Sequence, residues 1–314
     1  MKRKAIIISI KGYNLSNKEK HLLKSEKPWG IILFKRNIKS FNQIKKLIKN
    51  IRKVCKDKYY PIMIDEEGSS VSRLSKIINH DFSQKFFGDL YQVDPKTTLI
   101  FYKKYIFNLS HFLKKIGINI NTVPVLDVIR NDTNKIIGNR SFSNDPDIVK
   151  RLGKICVENY KFCKISTVMK HIPGHGCSSL DSHTNLPKVK LNYKKLHYMD
   201  FFPFKSNPSH FAMTAHILYE KLDKKNVATF SKKIISEIIR KKIGFKGILI
   251  SDDISMKALK FDLVKNAKKS LEAGCNLALY CSGNYNESSK LLKELPYIDK
   301  FTIKKTSEFY KFLR

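Results

Sequence analysis

The sequence lacks any pairing pattern among its cysteines. The six, Cys55, Cys156, Cys163, Cys177, Cys275 and Cys281, are scattered, with no CxxC pair and no zinc-finger spacing. A chain of 314 residues does not need disulfide staples, so they are read as reduced thiols of a cytoplasmic protein. The sequence also lacks a long apolar run. Nothing approaches the ~20 residues of a membrane-spanning helix. AIIISI (5–10) follows a basic start, yet it ends at Lys11-Gly12. That is short of the ~7–15 apolar residues of a secretory signal, and it reads as a buried first strand. Acids are scarce, with 27 Asp and Glu against 61 Lys and Arg, a formal net charge of +34. The basic residues are spread as KRK, KKLIKNIRK, LKKIG, NYKKL and SKKIISEIIRKK, without a concentrated arm and without an aromatic–glycine RNA motif. The excess is read as a lysine-, isoleucine- and asparagine-rich composition, and no nucleic-acid partner is expected. Internal repeats, low-complexity linkers, GxSxG and HExxH are absent as well.

What is present is enough apolar residue, 42% of the chain, for a sizeable core. Eight short β-branched runs recur, each ending in or next to a polar residue: AIIISI (5–10), GIILF (30–34), YPIMID (60–65), INTVPVLD (120–127), STVMKH (166–171), HFAMTAH (210–216), GILISD (247–252) and CNLALY (275–280). Helical periodicity fills stretches between them, at 42–54, 98–117, 147–163, 231–244 and 263–275. Ser231 suits an N-cap, and Gly117, Gly244 and Gly274 suit helix ends. Strands alternating with helices predict a parallel sheet. Eight near-continuous apolar strands predict an α/β fold, a single-domain (β/α)8 TIM-like barrel over residues 1–314, with irregular strands allowed. A doubly wound open sheet is the alternative. Asp65, Asp127, Lys170, His171, His216 and Asp252 all fall at strand C-termini, which a barrel gathers at one mouth.

The stretch KHIPGHGCSSLDSH (170–183) begins at one of those strand ends. His171 and His175 have the spacing of a helical zinc pair, but Pro173 and Gly174 lie between them, so no metal site is expected. Asp181 and His183 form a second reading, in which a carboxylate fixes the tautomer of an imidazole that moves protons near neutral pH. By itself Asp-Ser-His fits a solvated turn equally well. Ser251-Asp252-Asp253 offers the nucleophile such a pair would need; a carboxylate there suits capture of an oxocarbenium-like centre.

Taken in order, GIILFKRN (30–37), IDEEGSSVSR (64–73), GININTVPVLDV (117–128), IIGNRSFSNDP (136–146), KHIPGHGCSSLDSH, MTAHI (213–217), GFKGILISDDISMKAL (244–259) and LEAGCN (271–276) resemble the single-domain, NagZ-like β-N-acetylhexosaminidases of glycoside hydrolase family three. The resemblance implies a TIM-like barrel and a retaining exo-glycosidase without a cofactor. It makes Asp252 the nucleophile, His183 the general acid/base and Asp181 its orienting partner. It makes Asp65, Arg73, Arg140, Lys170 and His171 the sugar-binding residues. The implied substrate is a peptidoglycan-derived saccharide with a terminal β-linked N-acetylglucosamine (GlcNAc), cleaved in cell-wall recycling by a cytoplasmic monomer. Alternatives are another β-glycoside hydrolase or phosphorylase of this fold, or a silent sugar- or nucleic-acid-binding barrel. Three positions depart from the family pattern. GSSVSR stands where two glycines and an arginine usually follow DEE, Cys177 replaces a polar residue, and Asn276 replaces an aspartate. The first puts the local loop shape in question; none removes a proposed catalytic group.

Overall fold

The computed structural model describes residues 2–130, 133, 137–177 and 186–314. Eight parallel strands close into a barrel: β1 (Lys4–Ile8), β2 (Pro28–Leu33), β3 (Ile62–Ile64), β4 (Ile120–Asn121), β5 (Ser166–Ile172), β6 (Phe211–Thr214), β7 (Ile248–Asp253) and β8 (Leu277–Tyr280). Each pairs with its sequence neighbours, and β8 pairs with β1, so closure leaves no sheet edge. All eight predicted runs become strands, and the open-sheet alternative falls with that closure.

Side-chain alternation divides the core into two layers. Ile7, Ile32, Met63, Ile120, Val168, Phe211, Ile248 and Leu277 fill the barrel interior. Their neighbours Ile6, Ile8, Ile31, Leu33, Ile62, Ile64, Met169, Ala212, Leu249 and Ala278 face outward onto the helices. The N-terminal end is plugged by the helix Lys300–Leu313: Phe309 lies 5.3 Å from Phe211 and 6.3 Å from Trp29, ring centre to ring centre. Trp29 Nε1 donates to Thr306 Oγ1 at 2.9 Å, so the buried indole N–H is satisfied. The cavity described below lies at the opposite end.

Strand β4 is shorter than INTVPVLD suggests, because Pro124 has no N–H to give the ladder. Pairing resumes beyond it, with Lys170 N–H donating to Pro124 O at 3.0 Å and Leu126 N–H to Lys170 O at 2.7 Å. The helices Phe41–Cys55, Pro95–Ile116, Pro146–Phe162 and Leu263–Ala273 match the periodic stretches. The stretch 231–244 is instead wound as a π-helix over Ile234–Lys242, started by Ser231 Oγ accepting the Ile234 N–H at 3.1 Å. Gly117, Gly244 and Gly274 have the left-handed φ their helix-end role requires.

Candidate active site

At the C-terminal mouth lies a cavity of about 460 Å³, within the ordinary size range of small-molecule sites. Asp65, Arg73, Arg140, Lys170, His171 and Asp252 all line it, together with Glu67, His175, Asp253, Met213, Met256 and Cys281. Topology explains the convergence. Asp65 follows β3, Lys170 and His171 end β5, and Asp252 ends β7. Arg73 follows a small antiparallel hairpin, Glu66–Gly68 with Val71–Ser72, and Arg140 closes the turn Gly138–Arg140.

Asp65 is the hub of one wall. Its Oδ2 accepts from Arg73 Nη2 at 3.0 Å, Oδ1 accepts from Thr122 Oγ1, and Lys170 Nζ is 3.6 Å away. Burial opposes its charge, but Lys170 and Arg73 outweigh burial and hold the carboxyl well below the usual range. Lys170, 3% exposed, also donates to Thr122 Oγ1 at 2.9 Å. A buried lysine stays charged at tolerable cost only with such partners.

His171 is set by Asp127, which is completely buried. Asp127 Oδ2 is 2.7 Å from His171 Nδ1, and Oδ1 accepts the backbone N–H of His171 at 3.1 Å and of His175 at 2.7 Å. The carboxylate thereby fixes the ring and directs its other nitrogen. His175 packs 5.6 Å from His171, centre to centre. Burial drives its pKa down to about 4. A histidine depressed in the fold takes its proton first in the unfolded chain, so stability falls as pH drops from about 6.5 to 4. His175→Gln should remove about 1.4 kcal/mol of that loss per pH unit, read from urea unfolding across the window. Among the described residues no group of three or more His, Cys, Asp or Glu is arranged to hold a metal ion.

Asp252 Oδ1 accepts the Asp253 N–H at 2.8 Å. The Asp253 side chain faces away from that bond: Oδ1 accepts the N–H of Ser255 at 3.1 Å and of Cys281 at 3.3 Å, and Oδ2 accepts from Ser255 Oγ at 2.7 Å. His216 is completely buried, with Nε2 3.0 Å from Asp253 O and Nδ1 2.7 Å from Thr229 Oγ1. It therefore steadies the end of β7 from behind, without lining the cavity.

Asp181 and His183 lie outside the described residues. The turn leading toward them is anchored by close backbone approach. A Cβ on Gly176 would sit 1.9 Å from Val128 O, and one on Gly174 would sit 2.5 Å from Asp200 Cβ. Tyr219 Oη donates to Gly174 O.

A model of the glycosyl hydrolase family 3 N-terminal domain matches residues 3–305. The chain belongs to glycosyl hydrolase family 3. The beta-hexosaminidase of Actinobacillus succinogenes is 33% identical over 283 residues, covering 88% of this chain and 80% of that protein. Beta-hexosaminidase A of Pseudoalteromonas piscicida is 32% identical over 80% of this chain, which spans only 45% of that protein's length. NagZ from Neisseria gonorrhoeae, solved in complex with N-trifluoroacetyl-D-glucosamine, superposes with a TM-score of 0.89 at 27% identity. That likeness covers 100% of this chain and 91% of NagZ. These relatives identify the chain as a NagZ-like glycoside hydrolase, of the β-N-acetylhexosaminidase group of the family.

The departures from the family 3 pattern now have structural readings. Gly68 has φ +97 and a Cβ there would meet Phe82 O at 2.2 Å, so glycine is required. Ser69, in place of the second glycine, also has a left-handed φ of +48. Side chains resist that region, so Ser69→Gly should stabilise the protein by about 0.5–1 kcal/mol in urea unfolding. The serines bring something in return: Ser70 Oγ donates to Asn139 Oδ1 at 2.9 Å, and Asn139 Nδ2 donates to Ser69 Oγ at 3.2 Å. These bonds tie the hairpin tip to the turn that carries Arg140. Cys177 is buried beside Asp200 and Arg130, outside the cavity lining. Asn276 Oδ1 accepts from Arg240 Nη2 and Leu249 N–H, both at 2.8 Å, at the barrel end opposite the mouth.

Three contributors escaped the sequence reading in whole or part. Sequence pattern assigns Thr122 and Glu67 no role, and it puts Asp127 at a strand end without naming its partner. Glu67 stands two residues after Asp65 in the DEE run, and that proximity is the available signal.

Proposed function

We propose that this chain is a retaining exo-β-N-acetylglucosaminidase, one catalytic barrel acting on peptidoglycan-derived fragments in cell-wall recycling. The observation that carries the reading is the shared cavity: Asp252 opens into the same space as Asp65, Arg73, Arg140, Lys170 and His171. Fixed, buried hydrogen-bonding groups of this kind select sugars with matching hydroxyls. Asp252 attacks the anomeric carbon of a terminal β-linked GlcNAc as the bond to the leaving oxygen breaks. The sugar is then held as an ester on Asp252. His183, oriented by Asp181, gives its proton to the departing oxygen. The resulting neutral imidazole takes a proton from water, which displaces the sugar from Asp252 and restores both groups. A neutral histidine in this role adds no second negative charge beside the nucleophile. The scattered cysteines suit a reducing cytoplasm. No helix among the described residues is long and apolar enough to cross a membrane.

Incubation with a 2-fluoro sugar carrying an activated leaving group, followed by peptide mass mapping, is expected to label the segment that contains Asp252. A label on another carboxylate sinks the assignment. His183→Ala is expected to lower kcat about a hundredfold or more on a natural disaccharide, and much less on an activated aryl glycoside. Equal losses on both substrates would remove His183 from proton transfer.

A further inference from the structure

Glu67 has no part in the mechanism above, yet it joins three elements of the rim. Its side chain is 2% exposed, and Oε1 lies 2.5 Å from Lys170 Nζ. Oε1 also accepts from Arg140 Nη2 at 3.0 Å, while Oε2 accepts from Arg140 Nε at 2.8 Å. The two cations come from β5 and from the Gly138–Arg140 turn, and Glu67 comes from the hairpin. The carboxylate also sits in a wall of mixed charge. In a protein of net charge +34, this wall sets Asp65, Glu67, Asp252 and Asp253 against Arg73, Arg140 and Lys170. Remove Glu67, and the nearest acid to Lys170 is Asp65 at 3.6 Å, already shared with Arg73 and Thr122. Arg140 loses a two-pronged carboxylate partner. A guanidinium and an ammonium side by side in a buried pocket are what an oxyanion binds.

We infer that Glu67 is a positioning and charge-balancing residue: it holds Lys170 and Arg140 as hydrogen-bond donors to a neutral sugar and keeps the pocket from binding anions instead. The inference rests on the sugar-pocket reading above. It adds a determinant of specificity, neutral pyranose over oxyanion, that the catalytic residues do not supply.

The test compares the full-length protein with Glu67→Gln and Glu67→Asp. Binding of inorganic phosphate is measured by calorimetry without sugar, and kcat and KM on an aryl N-acetyl-β-glucosaminide. Glu67→Gln is expected to bind phosphate about tenfold more tightly or better, since a unit negative charge has left a poorly screened site. Its KM should rise more than its kcat falls. Glu67→Asp keeps the charge but is too short to span both cations. It should keep phosphate affinity within about threefold of wild type while KM rises roughly tenfold. A merely structural glutamate would reduce the folded fraction without moving phosphate affinity or the KM of what remains, and that result overturns the inference. Should Glu67→Gln fail to fold, Glu67→Asp decides: a wild-type KM there overturns it. If the wild type itself cleaves no glucosaminide, the functional reading fails, while the phosphate comparison still judges Glu67.

Discussion

Asp252→Asn is expected to lower kcat by about ten-thousandfold or more, because in the mechanism proposed above no other step replaces the bond to the anomeric carbon. The fold should survive. The substitution preserves shape, and an amide oxygen can still accept the Asp253 N–H that Asp252 Oδ1 now accepts at 2.8 Å. Stability should therefore stay within about 1 kcal/mol of wild type. Binding of GlcNAc should change only several-fold, since Asp65, Arg73, Lys170 and His171 are untouched. The decisive measurement pairs single-turnover kinetics with calorimetric sugar binding. Near-normal turnover would mean that the nucleophile lies elsewhere. Loss of sugar binding together with turnover would mean that Asp252 acts in recognition.

Lys170→Met is the second large effect, and it reaches stability as well as activity. Methionine fills the lysine stem's volume but leaves Glu67 and Asp65 without the ammonium lying 2.5 Å and 3.6 Å from them. Each carboxylate keeps an arginine, Glu67 the two-pronged Arg140 and Asp65 Arg73, so the loss of the buried charged contacts costs about 1–3 kcal/mol. The sign of the pH dependence follows from Asp65. Its folded pKa is depressed, with Lys170 the larger of the two neighbouring cations' influences. That contribution to stability is present above the unfolded carboxyl pKa and is lost as pH falls below it. Removing Lys170 diminishes it, so the variant should be weakened most at neutral pH and converge toward wild type in acid. Urea unfolding at pH 7 and pH 2.5, well inside the window between the unfolded and the depressed folded pKa, checks this. Equal stability at pH 7, with unchanged kcat/KM, would show that Lys170 is neither an anchor nor a sugar contact.

Much of this is legible in the sequence. Apolar runs of the right length are dictated by local chemistry, so AIIISI, GIILF and STVMKH declared themselves as buried parallel strands. Asp65, Lys170, His171 and Asp252 sat at strand ends, where a barrel's connectivity leaves only one place for them. Glycine's role at 117, 244 and 274 followed from the residue's own conformational freedom. Other features had no local signal. The partners of Glu67 are 73 and 103 residues away, at Arg140 and Lys170, and those of Asp127 are 44 and 48 residues on, at His171 and His175. A pairing across the barrel depends on register and side-chain reach, which no window of sequence contains. The shortened β4 and the left-handed Ser69 belong to the same class, since each is imposed by what the neighbouring segment allows. By itself, then, the sequence determined the strand count, the helix ends and that Asp65, Lys170, His171 and Asp252 would reach the mouth, because those follow from periodicity and backbone chemistry. Only the tertiary structure decided which charges neutralise one another there, because that is a matter of distances between residues far apart in the chain.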